Sequence, residues 1–375
     1  MIDRQFCLDM AAAHRKSTTA QNKAHAAAYE ALATRLAVVP PVVVPPVVRP
    51  TTTVPFHASS PFNVPITAAQ QSKWTSVPIL NTVMIPDGAG VPQPQPRNWF
   101  EGYGQLTVWH GVATDPLWTI IMPEFGNDDT RFNRHWLAAT FTMRAPQDIA
   151  QALDSDHIFV LIDETNGNRV ETWNGVVLDP VKHTITGPPG TGWARGNVDT
   201  DTGVGGLLPA GNSAGVRASN FSWIAGAITG YDIDQVLTDK KTDFGHALTV
   251  MLGDETLSTW GVTSPATAPN NGWNNGPIKM GSRIGIPASV ARPAKITDKL
   301  GIAYFNTLQK YGSFVGDYAG GPWPIFQVDA GSVVDRQLLA MWVWWSDTGI
   351  PIDSADGKPQ TAGRYITPLL RVMEG

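Results

Sequence analysis

Three polar side chains in the second half of the chain are of the types that proton-transfer chemistry uses. His246 follows a glycine and opens an apolar run, Arg283 follows a Met-Gly-Ser turn, and Tyr311 ends an amphipathic segment. In carbohydrate β-elimination a cation neutralises a uronate carboxylate while Tyr or His removes the C5 proton. His246, Arg283 and Tyr311 are therefore catalytic candidates, set against the commoner use of such a histidine as a structural hydrogen-bonding group.

A fourth candidate, His157, opens a segment that has the pattern of a strand. Asp156 directly precedes it, and Asp163 and Glu171 lie further along the same predicted hairpin. An imidazole grouped with carboxylates at a strand end can bind sugar hydroxyls or move a proton. The alternative, which the sequence favours, is a partly buried histidine that caps the strand while the carboxylates stay solvated.

A polar loop near residue 273 carries an isolated indole between amides and glycines. A large apolar side chain in so polar a loop either plugs the domain or faces a ligand. An indole stacks on a sugar ring while neighbouring amides bind its hydroxyls, so this loop predicts a contact with a neutral sugar. The predicted ligand-binding residues are Trp273, Asn271, Asn274 and Asn275, together with Trp193 in an earlier Gly-rich loop.

Oxygen-bearing side chains alternate at Asn197, Asp199 and Asp201 and could supply ligands to Ca²⁺. The spacing lacks the loop of about twelve residues with a closing Glu that calcium-binding hands use. A solvated loop is the stronger interpretation, and no cofactor or metal is predicted. The chain also has no nucleophile elbow, phosphate-binding loop, zinc-protease motif or dinucleotide fingerprint.

The composition predicts a mainly β protein. Charged residues make up only 16% of 375, while 36 Gly and 30 Pro punctuate the chain into short strands and turns. A net charge of −5 without a basic run argues against nucleic acid, and the single cysteine excludes an intrachain disulfide. The first residues lack the apolar core of a secretion signal, and no stretch predicts membrane insertion.

The chain divides into three segments by composition. Residues 1–37 are rich in Ala without Pro or Gly, which predicts an N-terminal α-helix that is either a frayed tail or a docking peptide. Residues 38–55 hold repeated Pro pairs, which favour an extended, semi-rigid polyproline stalk. Residues 56–375 have the composition of a β domain.

Hydrophobic periodicity predicts elements within that domain. The strongest signal is a hairpin from His157 to Trp173, turning at Asn166-Gly167-Asn168. An amphipathic segment runs from Leu300 to Asp317, and a short helix is expected within it before the Tyr311-Gly312 break. Further strands are expected at 106–112, 117–122, 136–143 and 338–345, and short helices at 222–228 and 232–237.

Several motifs in order resemble a broad group of bacterial and phage-encoded β proteins. They are the segments 59–66, 157–173, 245–248, 280–283 and 308–312, followed by Asp317. The resemblance covers most of residues 56–330 and implies a jelly-roll-like β-sandwich without transferring an activity. The helix and stalk resemble instead the anchoring arms of tailed-phage head fibres, spikes and decoration proteins.

These patterns favour a virion surface protein, assembled in a host cytoplasm and acting outside the cell. Residues 1–37 would dock to a capsid or tail protein, and the β-sandwich would bind host-surface polysaccharide. A homo-oligomer would give avidity to weak sugar sites. One alternative is a polysaccharide lyase or hydrolase on the same fold, although an enzyme is the less favoured reading. The other is a purely structural capsid decoration protein.

Overall fold

The computed structural model describes a large part of the β domain. The predicted arm at 1–55, the polar loop at 269–275 and the predicted strand at 338–345 lie outside the described residues. The described residues are 56–75, 85–86, 92–93, 108–126, 135–136, 138–150, 157–204, 215–253, 256–268, 276–294, 296–297, 299–318, 325–326, 366 and 369–373.

This described part is mainly β, as the composition predicts. Its strands are β1 (Ile85–Pro86), β2 (Pro92–Gln93), β3 (Val108–Gly111), β4 (Leu117–Met122), β5 (Phe125–Gly126), β6 (His135–Trp136), β7 (Ala139–Arg144), β8 (Phe159–Asp163), β9 (Asn168–Trp173), β10 (Val177–Asp179), β11 (Thr184–Thr186), β12 (Gly192–Asn197), β13 (Leu248–Leu252), β14 (Leu257–Val262), β15 (Ile278–Met280), β16 (Arg283–Gly285), β17 (Ser313–Tyr318), β18 (Ile325–Phe326) and β19 (Arg371–Val372). Its helices are α1 (Ala68–Gln71), α2 (Gly230–Leu237) and α3 (Lys299–Lys310). The described strands form several small sheets, none of which closes into a barrel.

Two four-stranded sheets face each other. The first sheet has the order β10-β11-β4-β7, and the second has the order β12-β9-β8-β3. Each sheet is mixed, because β11 pairs in parallel with β4 and β3 pairs in parallel with β8. The predicted hairpin is confirmed, since β8 and β9 pair antiparallel with Phe159 opposite Thr172.

Alternation along the strands builds the core between these two sheets. Strand β4 buries Trp118, Ile120 and Met122, while Leu117 and Ile121 point outward and are 56% and 40% exposed. Successive side chains on a strand point to opposite faces, so one face of the first sheet is apolar throughout. The second sheet contributes Phe159, Leu161, Val170 and Trp193 to the same cluster. Burying each such side chain stabilises the fold by about 1.5–3 kcal/mol. Because both sheets bury apolar side chains in one shared cluster, the pair is sandwich-like.

A third sheet, in the order β18-β13-β17-β16-β19, is covered by helix α3. The helix buries Leu300, Tyr304 and Leu308, which are spaced four residues apart on one face, and so confirms the amphipathic prediction. The helix predicted at 222–228 is wrong, because this segment forms turns. Gly226 lies at φ +68, outside the helical region, and a Cβ there would come within 2.4 Å of Thr249 N.

A buried charge cluster joins the second sheet to the turns at 215–223. Arg169 and Glu171 project from β9, and Arg169 Nη1 lies 2.8 Å from Glu171 Oε2 with both side chains fully buried. Glu171 also accepts hydrogen bonds from Ser222 Oγ at 2.7 Å and from the Trp223 and Val216 N–H groups at 3.1 Å. Burial raises the pKa of Glu171, against the lowering effect of Arg169 and these hydrogen bonds.

Arg217 extends the same cluster toward the third sheet. Its guanidinium donates to the carbonyls of Ser222 at 3.3 Å and Trp223 at 3.1 Å, and it stacks on the Trp223 ring. Its Nη1 lies 4.0 Å from Asp317 Oδ2 on β17. Burial lowers the pKa of Arg217 to about 10, so the side chain remains a cation at neutral pH. The cluster therefore fixes the second sheet against the third by paired charges.

Candidate functional site

The backbone places the three catalytic candidates at the same end of the third sheet. His246 lies just before β13, Tyr311 lies just before β17, and Arg283 begins β16. Strands β13 and β17 are parallel and pair at their first residues, while the first residue of β16 pairs with Phe314 of β17. The side chains, however, contact different partners.

His246 is buried and has a partner at each ring nitrogen. Its Nδ1 lies 2.9 Å from the Ala247 carbonyl oxygen, and its Nε2 lies 3.3 Å from Asp232 Oδ2 on α2. Burial alone would lower the pKa of the imidazole, but the charge and hydrogen bond of Asp232 raise it more, so the pKa is raised. A histidine that donates from both nitrogens has no lone pair left to accept a proton. In this arrangement His246 is a structural hydrogen-bonding group that ties the start of β13 to α2.

Arg283 and Tyr311 also point at internal partners. Arg283 Nη2 donates to the carbonyls of Pro61 at 3.3 Å and Val64 at 3.2 Å, and the guanidinium stacks on the Phe314 ring. Burial lowers the pKa of Arg283 to about 10. Tyr311 is 7% exposed, and the Lys310 ammonium lies 5.0 Å from its ring centre. These contacts hold the 61–64 turn and the end of α3 rather than a shared reaction centre.

His157 is exposed at the start of β8, but the carboxylates on its hairpin do not join it. Asp163 lies at the opposite end of β8, where it accepts the N–H groups of Thr165 and Arg144, both at 3.0 Å. Glu171 is buried against Arg169. The hairpin therefore forms as predicted, but Asp163 and Glu171 do not join His157, and Asp156 lies outside the described residues. The expectation that the carboxylates stay solvated is wrong for Glu171, which is buried.

The side-chain oxygens of Asn197 and Asp201 are engaged within the 197–201 loop and with its neighbours. Asn197 Oδ1 accepts the Asp199 N–H at 3.0 Å, and Asp201 Oδ2 accepts the Asn197 N–H at 2.7 Å while lying 3.4 Å from Arg169 Nη2. Within the described ranges, no group of three or more His, Cys, Asp and Glu side chains is arranged to hold a metal ion. The Asn197 and Asp201 oxygens accept backbone N–H groups of the turn, and the Asp201 carboxylate also offsets the charge of Arg169.

The predicted sugar-binding residues divide between buried and undescribed positions. Trp273 and its amide neighbours Asn271, Asn274 and Asn275 lie outside the described residues. Trp193 is 1% exposed in the core between the first and second sheets, and its Nε1 donates to the Pro123 carbonyl at 2.9 Å. The indole of Trp193 thus serves packing, with its polar edge satisfied.

Another indole, Trp173, reaches the surface at the end of β9. Thr172 is buried, and Trp173 points to the opposite face of the second sheet, where it is 42% exposed. Its cross-strand partner on β12 is Gly192. A Cβ on Gly192 would lie 3.7 Å from Trp173 Cε3, which is ordinary contact distance, so the indole lies against this glycine.

Two loops frame this indole. Asn174 and Gly175 follow β9 at φ 74 and 87, and Asn174 Nδ2 lies 3.5 Å from the Gly190 carbonyl in the loop before β12. Thr191 Oγ1 donates to the Gly175 carbonyl at 3.2 Å, which ties the two loops together. Because Phe159 pairs with Thr172, residue 157 lies at this same end of the sheet. We call the exposed residues Trp173, Asn174 and Gly190 the Trp173 surface.

The Trp173 surface offers an aromatic face and a side-chain amide. Such a set can stack on an apolar ring face while the amide exchanges hydrogen bonds with hydroxyls. The sequence analysis treats Trp173 only as the end of a hairpin. The signal that points to it is the alternation of β9, which puts Trp173 on the face opposite Thr172, directly before an Asn-Gly turn.

Comparisons with protein-family models, curated proteins and solved structures found no match to this chain. The site is therefore interpreted from its own geometry. None of the helices in the described ranges combines the length and the apolar character needed to cross a membrane.

Proposed function

We propose that this protein binds a neutral glycan through the Trp173 surface. The observation that carries the proposal is the 42% exposure of Trp173 beside the exposed amide of Asn174. An indole kept at the surface has not been used for core burial, whereas Trp193 on the adjacent strand has. Its apolar face can stack on a pyranose ring, and the loop amide can bind hydroxyls.

The expected ligand is uncharged. The described residues that form the Trp173 surface include no Asp, Glu, Lys or Arg, so a uronate or sulfated sugar would find no counter-charge among them. The polar loop at Trp273 stays a second proposed sugar contact. Contacts of this size are individually weak, so a homo-oligomer that presents several copies would raise the apparent affinity.

We place this binding at the surface of a virion, where residues 1–37 would dock to a capsid or tail protein and the Pro-rich stalk would hold the domain outward. The Ala-rich arm and the Pro-rich stalk that precede the β domain support this location. A jelly-roll connectivity remains the finer proposal for the fold, supported by the two facing sheets.

The enzyme alternative finds less support, because His246, Arg283 and Tyr311 are buried against separate partners. A capsid decoration role, with no ligand, remains the third candidate. The experiment that separates the three applies the full chain to immobilised neutral polysaccharides of a bacterial host surface. Retention and polymer length are measured together.

Trp173→Ala is expected to lower the affinity by at least about tenfold, since truncating an aromatic binding anchor typically costs about 2 kcal/mol. Leu117→Ala is the control, because Leu117 is 56% exposed on the outer face of the first sheet. Equal retention of wild type and Trp173→Ala would refute the proposal. Shortening of the polymer would indicate an enzyme, and no retention of the wild type would indicate decoration.

A further inference from the structure

The turn within the Trp173 surface has the sequence Asn-Gly, and so does the turn at the other end of β9. Asn174-Gly175 follows the strand, and Asn166-Gly167 precedes it. In an Asn-Gly pair the backbone nitrogen of the glycine can attack the asparagine side chain, because glycine has no side chain to block the approach. The attack requires an available nitrogen and an amide that can rotate.

In the Asn166-Gly167 turn both reacting groups, the glycine N–H and the asparagine side-chain amide, make hydrogen bonds. Gly167 N–H donates to the Asp163 carbonyl at 2.8 Å. Asn166 Oδ1 accepts the Asn168 N–H at 2.9 Å, and its Nδ2 lies 3.4 Å from Asp163 Oδ2. Gly167 and Gly175 share a positive φ, at 72 and 87, so the glycine conformation does not distinguish the two turns.

The Asn174-Gly175 turn is held less firmly. The exposed Asn174 amide has one side-chain contact, at 3.5 Å to the Gly190 carbonyl, which is at the limit of a hydrogen bond. Among the described residues, Gly175 N–H has no hydrogen-bond acceptor. Both glycines are buried, so the two turns differ in their hydrogen bonds: the Gly175 nitrogen and the Asn174 amide are held less than the Gly167 nitrogen and the Asn166 amide.

We propose that Asn174 is a site of spontaneous deamidation. Gly175 N loses its proton to solvent base and attacks Asn174 Cγ, forming a C–N bond. The Cγ–Nδ2 bond breaks, and ammonia leaves with a proton taken from water. Water then opens the cyclic imide at either carbonyl, which yields aspartate or isoaspartate at position 174. The sum is asparagine plus water giving aspartate or its isomer plus ammonia.

The product places a carboxylate at the residue next to Trp173, which would add a negative charge to the Trp173 surface. This inference rests on the different hydrogen bonds of the Asn174-Gly175 and Asn166-Gly167 turns, and it does not depend on glycan binding. It identifies a modification that would make preparations of the protein heterogeneous at the Trp173 surface.

The test incubates the full chain in warm, mildly alkaline buffer, with and without denaturing urea. Peptide mapping by mass spectrometry then measures aspartate and isoaspartate at positions 174 and 166. In the folded protein Asn174 should convert several-fold faster than Asn166, and in urea the two rates should converge. Asn174→Gln should abolish conversion at its position while leaving Asn166 unchanged.

Equal conversion of the two sites in the folded protein, or faster conversion of Asn166, would overturn the proposal. A preference for Asn174 that persists unchanged in urea would also overturn it, because the cause would then be local sequence rather than the fold.

Discussion

Glu171 is the residue whose replacement most directly tests the buried charge cluster. Its two oxygens accept hydrogen bonds from Ser222, Trp223 and Val216, and its charge faces Arg169. Glu171→Ala should lower the free energy of unfolding by about 3–5 kcal/mol, as expected when one partner of a buried ion pair is removed. Urea denaturation measures this directly.

Glu171→Gln should cost less than Glu171→Ala. Glutamine fills the same volume and keeps one acceptor oxygen, which can serve the Ser222 hydroxyl and the Trp223 N–H that share Oε2, whereas its NH2 group would face the Val216 N–H. Asp239→Asn is the control, because Asp239 pairs with Lys299 at an exposed position and should leave stability nearly unchanged. An equal cost for the Gln and Ala variants would contradict this account.

Trp173 and Trp193 show that the exposure of a single side chain is hard to predict from the sequence around it. Sequence reasoning assigns Trp193 to a ligand because it lies in a Gly-rich segment, yet the residue is buried in the core. Trp173 is exposed because its neighbour across the sheet is Gly192, which leaves the outer part of the ring uncovered. Which strand lies beside which is a long-range property, so composition around each residue cannot decide its exposure.

At the scale of elements, helix α2 is tied to strand β13 through Asp232 and His246. Asp232 Oδ2 also accepts the Thr229 N–H at 2.9 Å, so one carboxylate both caps the helix and holds the histidine. The folded-state pKa of His246 is raised above its ordinary 6.5. This contact therefore stabilises the fold fully below pH 6.5, and the stabilisation is lost as the pH rises through the folded-state pKa.

The free energy of unfolding should consequently fall as the pH rises above 6.5, by about 1.4 kcal/mol for each unit by which the pKa is raised. Glu171 acts in the same direction, because its raised pKa removes stability as the pH rises above 4.5. Urea denaturation at a series of pH values provides the measurement. His246→Asn should flatten the part of the profile above 6.5, whereas an unchanged slope in that variant would contradict the assignment.

Local elements are the part of the fold that the sequence predicts well. The β8–β9 hairpin and helix α3 follow from alternation and from four-residue spacing, both of which are read within a short window. The parallel pairs β3–β8, β4–β11 and β13–β17 join segments far apart in the chain, and no local pattern marks them. His246 and Arg283 are buried because of these long-range pairings. Since the sequence does not reveal the pairings, it suggests that both side chains are accessible to a substrate.

At the scale of the whole molecule, the arm and the domain are proposed to have separate roles. Removing residues 1–55 should leave the urea midpoint of the remaining chain nearly unchanged. The same truncation should abolish co-purification with virus particles, because the proposed docking helix and its stalk are gone. Particle incorporation that survives the truncation would contradict the anchoring role.

The most direct test of the central claim is an NMR titration of the isotope-labelled full chain with a panel of neutral hexose oligosaccharides. Loss of one indole N–H signal in Trp173→Phe assigns Trp173, and the corresponding variant assigns Trp193. On binding, the Trp173 indole and the Asn174 side-chain amide signals should shift together, while the buried Trp193 signal stays in place. Binding that shifts signals elsewhere and leaves Trp173 and Asn174 unmoved would contradict the proposed site.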